Sequence, residues 1–247
     1  MLMDIRMLGC GSAFAKEFYN NNAIVYAGGR KLLVDCGTTA HVALRKLGLS
    51  LAEIDGVLIT HIHADHVGGL EELAFQLKFL FKRRIPLYIA DTLADILWEH
   101  SLRGGLEQEG LMTLSDYFDV RPMAEGSPYE VLPGLRAELL RTSHIPGKLS
   151  YSVLFGHTFF YSSDMLFMPE LLETLVRERG VETIFHDCQL EPPGVVHACL
   201  DQLLTLPDEL QRIIRLMHYG DAQPQYIGRT GGMRFVEQHR LYSFDVG

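Results

Sequence analysis

The chain has 247 residues, 47% of them hydrophobic and 21% charged, so it can bury a sizeable core without disulfide staples. Lys and Arg number 22 against 31 Asp and Glu, which gives a formal net charge of −9. That balance disfavours long nucleic acids, which select basic surfaces, and leaves a short anion gripped by a metal fully compatible. No apolar run approaches the roughly 18 to 20 residues needed to span a bilayer. The N-terminal stretch carries Asp4 and Arg6 where a secretory signal would be apolar. Cys10, Cys36, Cys188 and Cys199 form no C-x-x-C pair and are expected as buried free thiols of a cytoplasmic protein.

In chain order, residues 4–8 read as a short strand ending at Gly9. Residues 22–26 and 31–35 flank Gly28-Gly29, a hairpin signal. A helix over 38–48 ends suitably at Gly48, and the strand 57–60 runs straight into a histidine cluster. Val67, Leu70, Leu73, Ala74, Leu77 and Leu80 then recur at helical spacing. A strand at 87–90 and a helix at 91–103 follow, whereas 104–127 is Gly-rich and gives no assignment. Strands are predicted at 129–132, 135–141, 149–155 and 158–161. The remainder alternates: helix 169–178, strand 181–185, helix 197–204, strand 213–217, and a last strand near 241–244. Strand-rich stretches followed by helix–strand alternation occur twice. The expectation is an α+β protein of two mixed sheets with outer helices, forming one domain over 1–247.

The strongest chemical signal is Thr60-His61-Ile62-His63-Ala64-Asp65-His66-Val67-Gly68-Gly69. It sits where a hydrophobic strand gives way to a helix. His61 and His63 are two apart, so in an extended segment they point the same way. Asp65 and His66 lie on the following turn and face a neighbouring point. Four such N and O donors suit a borderline metal such as zinc, and two close metals more readily than one. Two metals need further donors. His144, Asp164 and His218 each stand at the C-terminal side of an apolar strand, where loops over a rigid sheet present functional groups.

His61-Ile62-His63-Ala64-Asp65-His66 resembles the H-x-H-x-D-H motif of the metallo-β-lactamase superfamily. His144, Asp164 and His218 match that family's later metal motifs in order and approximate spacing. The resemblance implies a four-layer αβ/βα sandwich with a dinuclear site at one edge of the two sheets. It implies that His61, His63 and His144 hold a first divalent metal ion, and that Asp65, His66 and His218 hold a second. Asp164 would bridge the two. Zinc is the expected metal, with manganese as an alternative, and Asp65 is counted with the catalytic set as well as with the ligands.

The branch of the superfamily is read from 185–218. Phe185-His186-Asp187-Cys188-Gln189 resembles a segment of the tRNA 3′-processing endonucleases, with Asp187 in place of Glu. His197 lies 21 residues before His218, near that family's catalytic histidine, although the Ser-Thr that follows there is missing here. These likenesses imply phosphodiester hydrolysis by a hydroxide shared between the metals. His197 or His186 would protonate the departing sugar oxygen, with Asp187 orienting the histidine. The tRNA enzymes insert a long arm between the motifs matching His144 and Asp164. Here only 20 positions separate those residues, and they read as a hairpin.

The overall pattern is similar to the anti-Pycsar proteins, metallo-β-lactamase-fold enzymes that degrade cyclic-nucleotide signals. The points of likeness include Gly9 to Phe14 followed by Phe18 to Asn22, the 60–69 motif and the short hairpin. The resemblance implies a homodimer that hydrolyses small 3′,5′-cyclic mononucleotides, with no membrane and no long nucleic acid as partner. A tRNA 3′-end-processing endonuclease, or another small-phosphodiester hydrolase of the superfamily, is the alternative.

Overall fold

The computed structural model describes residues 1–247. Six strands open the chain: β1 (Leu2–Met7), β2 (Ala23–Ala27), β3 (Arg30–Val34), β4 (Gly56–Ile59), β5 (Pro86–Ala90) and β6 (Asp119–Met123). Seven more follow: β7 (Pro128–Leu132), β8 (Leu135–Arg141), β9 (Tyr151–Phe155), β10 (Phe159–Tyr161), β11 (Thr183–Asp187), β12 (Ile214–Met217) and β13 (Arg234–Phe235). The last strand, β14 (Leu241–Asp245), returns to the first group. One sheet has the order β14-β1-β2-β3-β4-β5-β6, and the other β13-β12-β11-β10-β9-β8-β7.

Each sheet is half antiparallel and half parallel. Hairpins join β1 to β2 and β2 to β3, after which β3 to β6 run parallel. In the second sheet β7 to β10 are antiparallel, and β10 to β13 are parallel. Parallel neighbours need crossover helices. These are α1 (Ala40–Lys46), α2 (Ala64–Val67), α3 (Leu70–Phe75), α4 (Asp91–Leu97), α5 (Arg103–Leu106), α6 (Pro169–Arg177), α7 (Leu200–Leu203) and α8 (Asp208–Ile213). One cluster of 72 buried residues runs through strands of both sheets and the helices that cover them.

Local chemistry accounts for the elements that position the site. Gly28 and Gly29 take φ of 54° and 73°, the left-handed pair that the two-residue hairpin between β2 and β3 requires. Every residue of β4 is buried, as a central parallel strand demands. Gly68 and Gly69 divide the predicted helix after the motif into α2 and α3, and a wider π turn over Gln76–Leu80 extends α3.

Several boundaries differ from expectation. The unassigned stretch holds β6, an edge strand that tolerates Pro122 because its outer side has no pairing partner. The helix expected over 197–204 is confined to α7, and residues 191–198 form a loop that carries His197. The short α8 and the two-residue β13 had no sequence signal.

Candidate metal centre

The candidate ligands all follow the C-terminal ends of strands, three of the four strands lying in the parallel parts of the sheets. β4 ends at Ile59 and releases His61 to His66; β8 leads to His144, β10 to Asp164 and β12 to His218. His63 is extended, with φ −72° and ψ 153°, immediately before α2 turns Asp65 and His66 to the neighbouring position. His61 Nε2 is 3.0 Å from His63 Nδ1, and His144 Nε2 is 3.3 Å from that same atom. Asp164 Oδ2 completes this first group, at 3.6 Å from His61 Nε2 and 3.7 Å from His144 Nε2.

The second group stands beside it. Asp65 Oδ2 lies 3.3 Å from His66 Nε2 and 3.2 Å from His218 Nε2. Asp164 Oδ1 is 3.2 Å from His66 Nε2 and 3.5 Å from His218 Nε2. One Asp164 oxygen therefore faces each group. The structure brings together all seven residues that the sequence singled out as ligands.

The spacing fits metal ions. Donors at about 2.0–2.1 Å from a tetrahedral zinc ion lie about 3.3 Å from one another, which is the scale of the distances above. His66 Nε2 and Asp164 Oδ1 are buried with no hydrogen-bond partner, whereas buried polar atoms are ordinarily satisfied. A shared cation would satisfy both. The donor set of imidazoles and carboxylates suits zinc, or manganese with more oxygen ligands.

Electrostatics divides the histidines. Burial alone would raise the Asp164 carboxyl, but the His218 and His66 rings outweigh it and hold it well below its ordinary range. Against burial, Asp164 and its neighbouring carboxylates hold the His66 and His218 rings well above the ordinary imidazole value. His61 is pushed well down by burial and by the adjacent His66, and His63 is lowered to about 4 by burial and by His144. Those two rings stay neutral near pH 7, the form that donates a lone pair to a metal.

A surrounding layer fixes the donors. Asp35 Oδ2 meets His66 Nδ1 at 2.8 Å, while the Thr60 backbone N–H and hydroxyl donate to the Asp35 carboxylate. The Val196 carbonyl accepts from His144 Nδ1 at 2.6 Å. Each contact leaves the opposite ring nitrogen, Nε2, to face the centre. Asp35, Ser163 and His218 take positive φ of 59°, 50° and 59°, each one or two residues past a strand end. Such left-handed non-glycine residues cost of order 1–3 kcal/mol and cluster at functional sites. The role of Asp35 escaped sequence reading, although its position at the end of β3, parallel to β4, is the signal that points to it.

His197 joins the group from the 191–198 loop. Its ring centre is 4.8 Å from those of both His144 and His218, and its Nδ1 is 2.6 Å from Asp187 Oδ2. The other Asp187 oxygen faces His218 Nδ1 at 3.2 Å. Burial opposes charge on His197, but Asp187 prevails and holds the ring above its ordinary value. His186 is not brought to the centre. It precedes Asp187 on β11, so alternation sends the two side chains to opposite faces of the sheet. His186 Nδ1 meets the Asp187 carbonyl at 2.7 Å, and burial lowers the ring's pKa. The sequence-based expectation named His186 beside His197 as catalytic; the structure buries His186 and leaves it outside the groups of potential donors.

The sequence model of the anti-Pycsar protein Apyc1 family matches residues 3–242. The chain belongs to this family. It is 60% identical to the anti-Pycsar protein Apyc1 of Paenibacillus harenae, over 97% of this chain and 99% of that one. A viral member, from Bacillus phage BSP38, is 42% identical over 96% of this chain and 97% of its own. Among solved structures, a diphosphatase of the PhnP family superposes with a TM-score of 0.79 at 20% identity, covering 100% of this chain and 98% of that one. The metallo-β-lactamase-fold protein YhfI from Bacillus subtilis gives 0.75 at 16% identity, over 98% and 99% of the two chains. Human tRNase Z, short form, gives 0.67 at 17% identity, over 99% of both chains. The fold of this family member is thus the metallo-β-lactamase fold expected from the motif.

Proposed function

We propose that the protein is a metal-dependent phosphodiesterase that hydrolyses 3′,5′-cyclic mononucleotides to nucleoside monophosphates. The observation that carries this reading is Asp164, which presents one oxygen to each of two four-donor groups. His61, His63 and His144 would hold one divalent ion, Asp65, His66 and His218 the other, and zinc fits the donors best. Bound there, two cations supply positive charge for phosphoryl oxygens and a nucleophilic hydroxide near neutral pH.

The remaining work falls to side chains beside them. His197 donates a proton to the departing sugar oxygen. Asp187 holds Nδ1 of that ring at 2.6 Å, which leaves Nε2 for the substrate. Asp65 belongs to the same reading, its Oδ2 standing with His66 Nε2 and His218 Nε2 as the carboxylate donor toward the second ion.

The family name supports a role against a cyclic-nucleotide signal, as the resemblance in the sequence implies. The short β9–β10 hairpin supports a small substrate over tRNA, because it leaves no arm to grip a long chain. No helix is long and apolar enough to cross a membrane. The same reading includes a homodimer, a cytoplasmic location and one folding unit over 1–247, since both halves contribute donors.

The test is a substrate panel of cyclic mononucleotides, cyclic dinucleotides and precursor tRNA, with zinc or manganese supplied and products separated by chromatography. Linear monophosphates from the cyclic mononucleotides are expected. Their absence overturns the reading, and cleavage of precursor tRNA at its 3′ end establishes the endonuclease alternative.

A further inference from the structure

We propose that the apolar slot between α4 and the His61–His63–His144 group is the subsite for the substrate's nucleobase, with Ile96 as its specificity-determining wall. The proposal rests on the functional reading above and says where the non-reacting part of the substrate goes.

The slot has a volume of about 340 Å3, within the range typical of small-molecule sites. Its inner end is made by the three histidines proposed to hold the first cation. Its sides are aliphatic: Ile62 from the motif, Leu93 and Ile96 from α4, and Leu149 from the segment that enters β9. Leu93 and Ile96 are three apart on one face of α4, and His100 follows in the π-helical turn over Trp98–Leu102 that continues it.

The burial pattern distinguishes this wall from ordinary core. Leu93 is buried, whereas Ile62, Ile96 and Leu149 are only half-buried. Each of the three packs one side against the core and leaves the other side open to the slot. A phosphate bound at the cations needs no aliphatic surface. A planar heterocycle joined to that phosphate through a sugar does, because its faces are weakly hydrated while its edges are polar. Lys148 and His100 stand exposed at the rim and supply polar groups for those edges. This division, a largely apolar wall with a few polar groups, is the usual construction of a small-molecule site.

The test compares two substrates with the same reacting ring. One is a 3′,5′-cyclic mononucleotide. The other is trimethylene phosphate, a six-membered cyclic phosphodiester that carries neither sugar nor base. Ile96→Asp places a charge in the slot, and Ile96→Trp fills it. Position 96 is half-buried on a helix, and folding of each variant is checked by its melting curve and by its bound metal. The expected result is a rise in KM for the cyclic mononucleotide. The ratio of its kcat/KM to that for trimethylene phosphate should fall by at least about tenfold, the scale on which changes in an apolar pocket discriminate substrates. An unchanged ratio in both variants, with the wild-type protein active on the cyclic mononucleotide, overturns the slot alone. A wild-type protein inactive on cyclic mononucleotides overturns the functional reading, and the slot's occupant falls with it.

Discussion

Asp187 stands between two histidines with different proposed tasks, one oxygen at 2.6 Å from His197 Nδ1 and the other at 3.2 Å from His218 Nδ1. It joins the proposed proton donor, His197, to a proposed metal ligand. Replacing His197 removes the donor and leaves the seven proposed ligands in place. His197→Ala should therefore retain its metal by atomic absorption while kcat falls by about 10²–10⁴-fold, the usual contribution of a positioned acid. Equal turnover in the variant removes His197 from the mechanism. Asp35 acts on the metal side instead. Without it, the His66 ring loses its partner at Nδ1 and the Thr60 N–H loses its acceptor. Asp35→Ala should weaken metal affinity by roughly 10–100-fold, measured by competition with a chromophoric chelator. Affinity equal to wild type would show that Asp35 does not position His66.

The turn after β3 meets the motif in close backbone contact. A Cβ on Gly37 would stand 1.8 Å from the Asp65 carbonyl oxygen and 2.4 Å from its carbon. Asn22, from the loop before β2, ties the same two points: it accepts from Gly37 N–H at 2.9 Å and donates to the Asp65 carbonyl at 3.1 Å. Only glycine permits this approach. Gly37→Ala should displace the Asp65 segment, lower the melting temperature and reduce bound metal together. A variant with wild-type metal content would show that the junction yields without cost. These contacts explain the limits of sequence reading at this scale. Helical and alternating periodicity exposed most strands and helices, because burial on one face leaves a period. The 104–127 stretch and the His197 loop carry no period, since β6 lies at an edge and the loop is held by backbone bonds. The Ala198 N–H to Met165 carbonyl contact, at 2.9 Å, is one of these and has no signature in side-chain type.

Across the molecule, each sheet supplies half of the centre. Asp35 and the 61–66 motif come from the first sheet, whereas His144, Asp164, Asp187 and His218 come from the second. Cations held by both groups would clamp the sheets together in the native state and find no such site in the unfolded chain. At free metal about 100-fold above Kd, one such ion adds about 2.7 kcal/mol, which for a chain of this size is roughly 5–10 °C of melting temperature. Chelation, which removes both ions, should lower Tm by at least that amount in scanning calorimetry, and added zinc should restore it. A Tm indifferent to chelator would mean that neither group binds metal. The acidic charge acts at the same scale: a −9 balance disfavours long polyanions, and it is compatible with the proposed small cyclic substrate.

The sequence by itself determined the fold class and the alternation of elements, and it singled out the seven residues proposed as donors. Periodicity and a dense cluster of ligand-type side chains are properties of order along the chain, so they survive without coordinates. Only the tertiary structure decided the distances within the donor groups, that Asp35 meets the His66 ring, that Asp187 also faces His218, and that His197 rather than His186 stands beside His144 and His218. Those outcomes depend on parallel strands aligning their ends and on the pleat sending neighbouring residues to opposite faces. Residues more than a hundred positions apart are thereby set a few ångströms from one another, as Asp65 and His218 are at 3.2 Å.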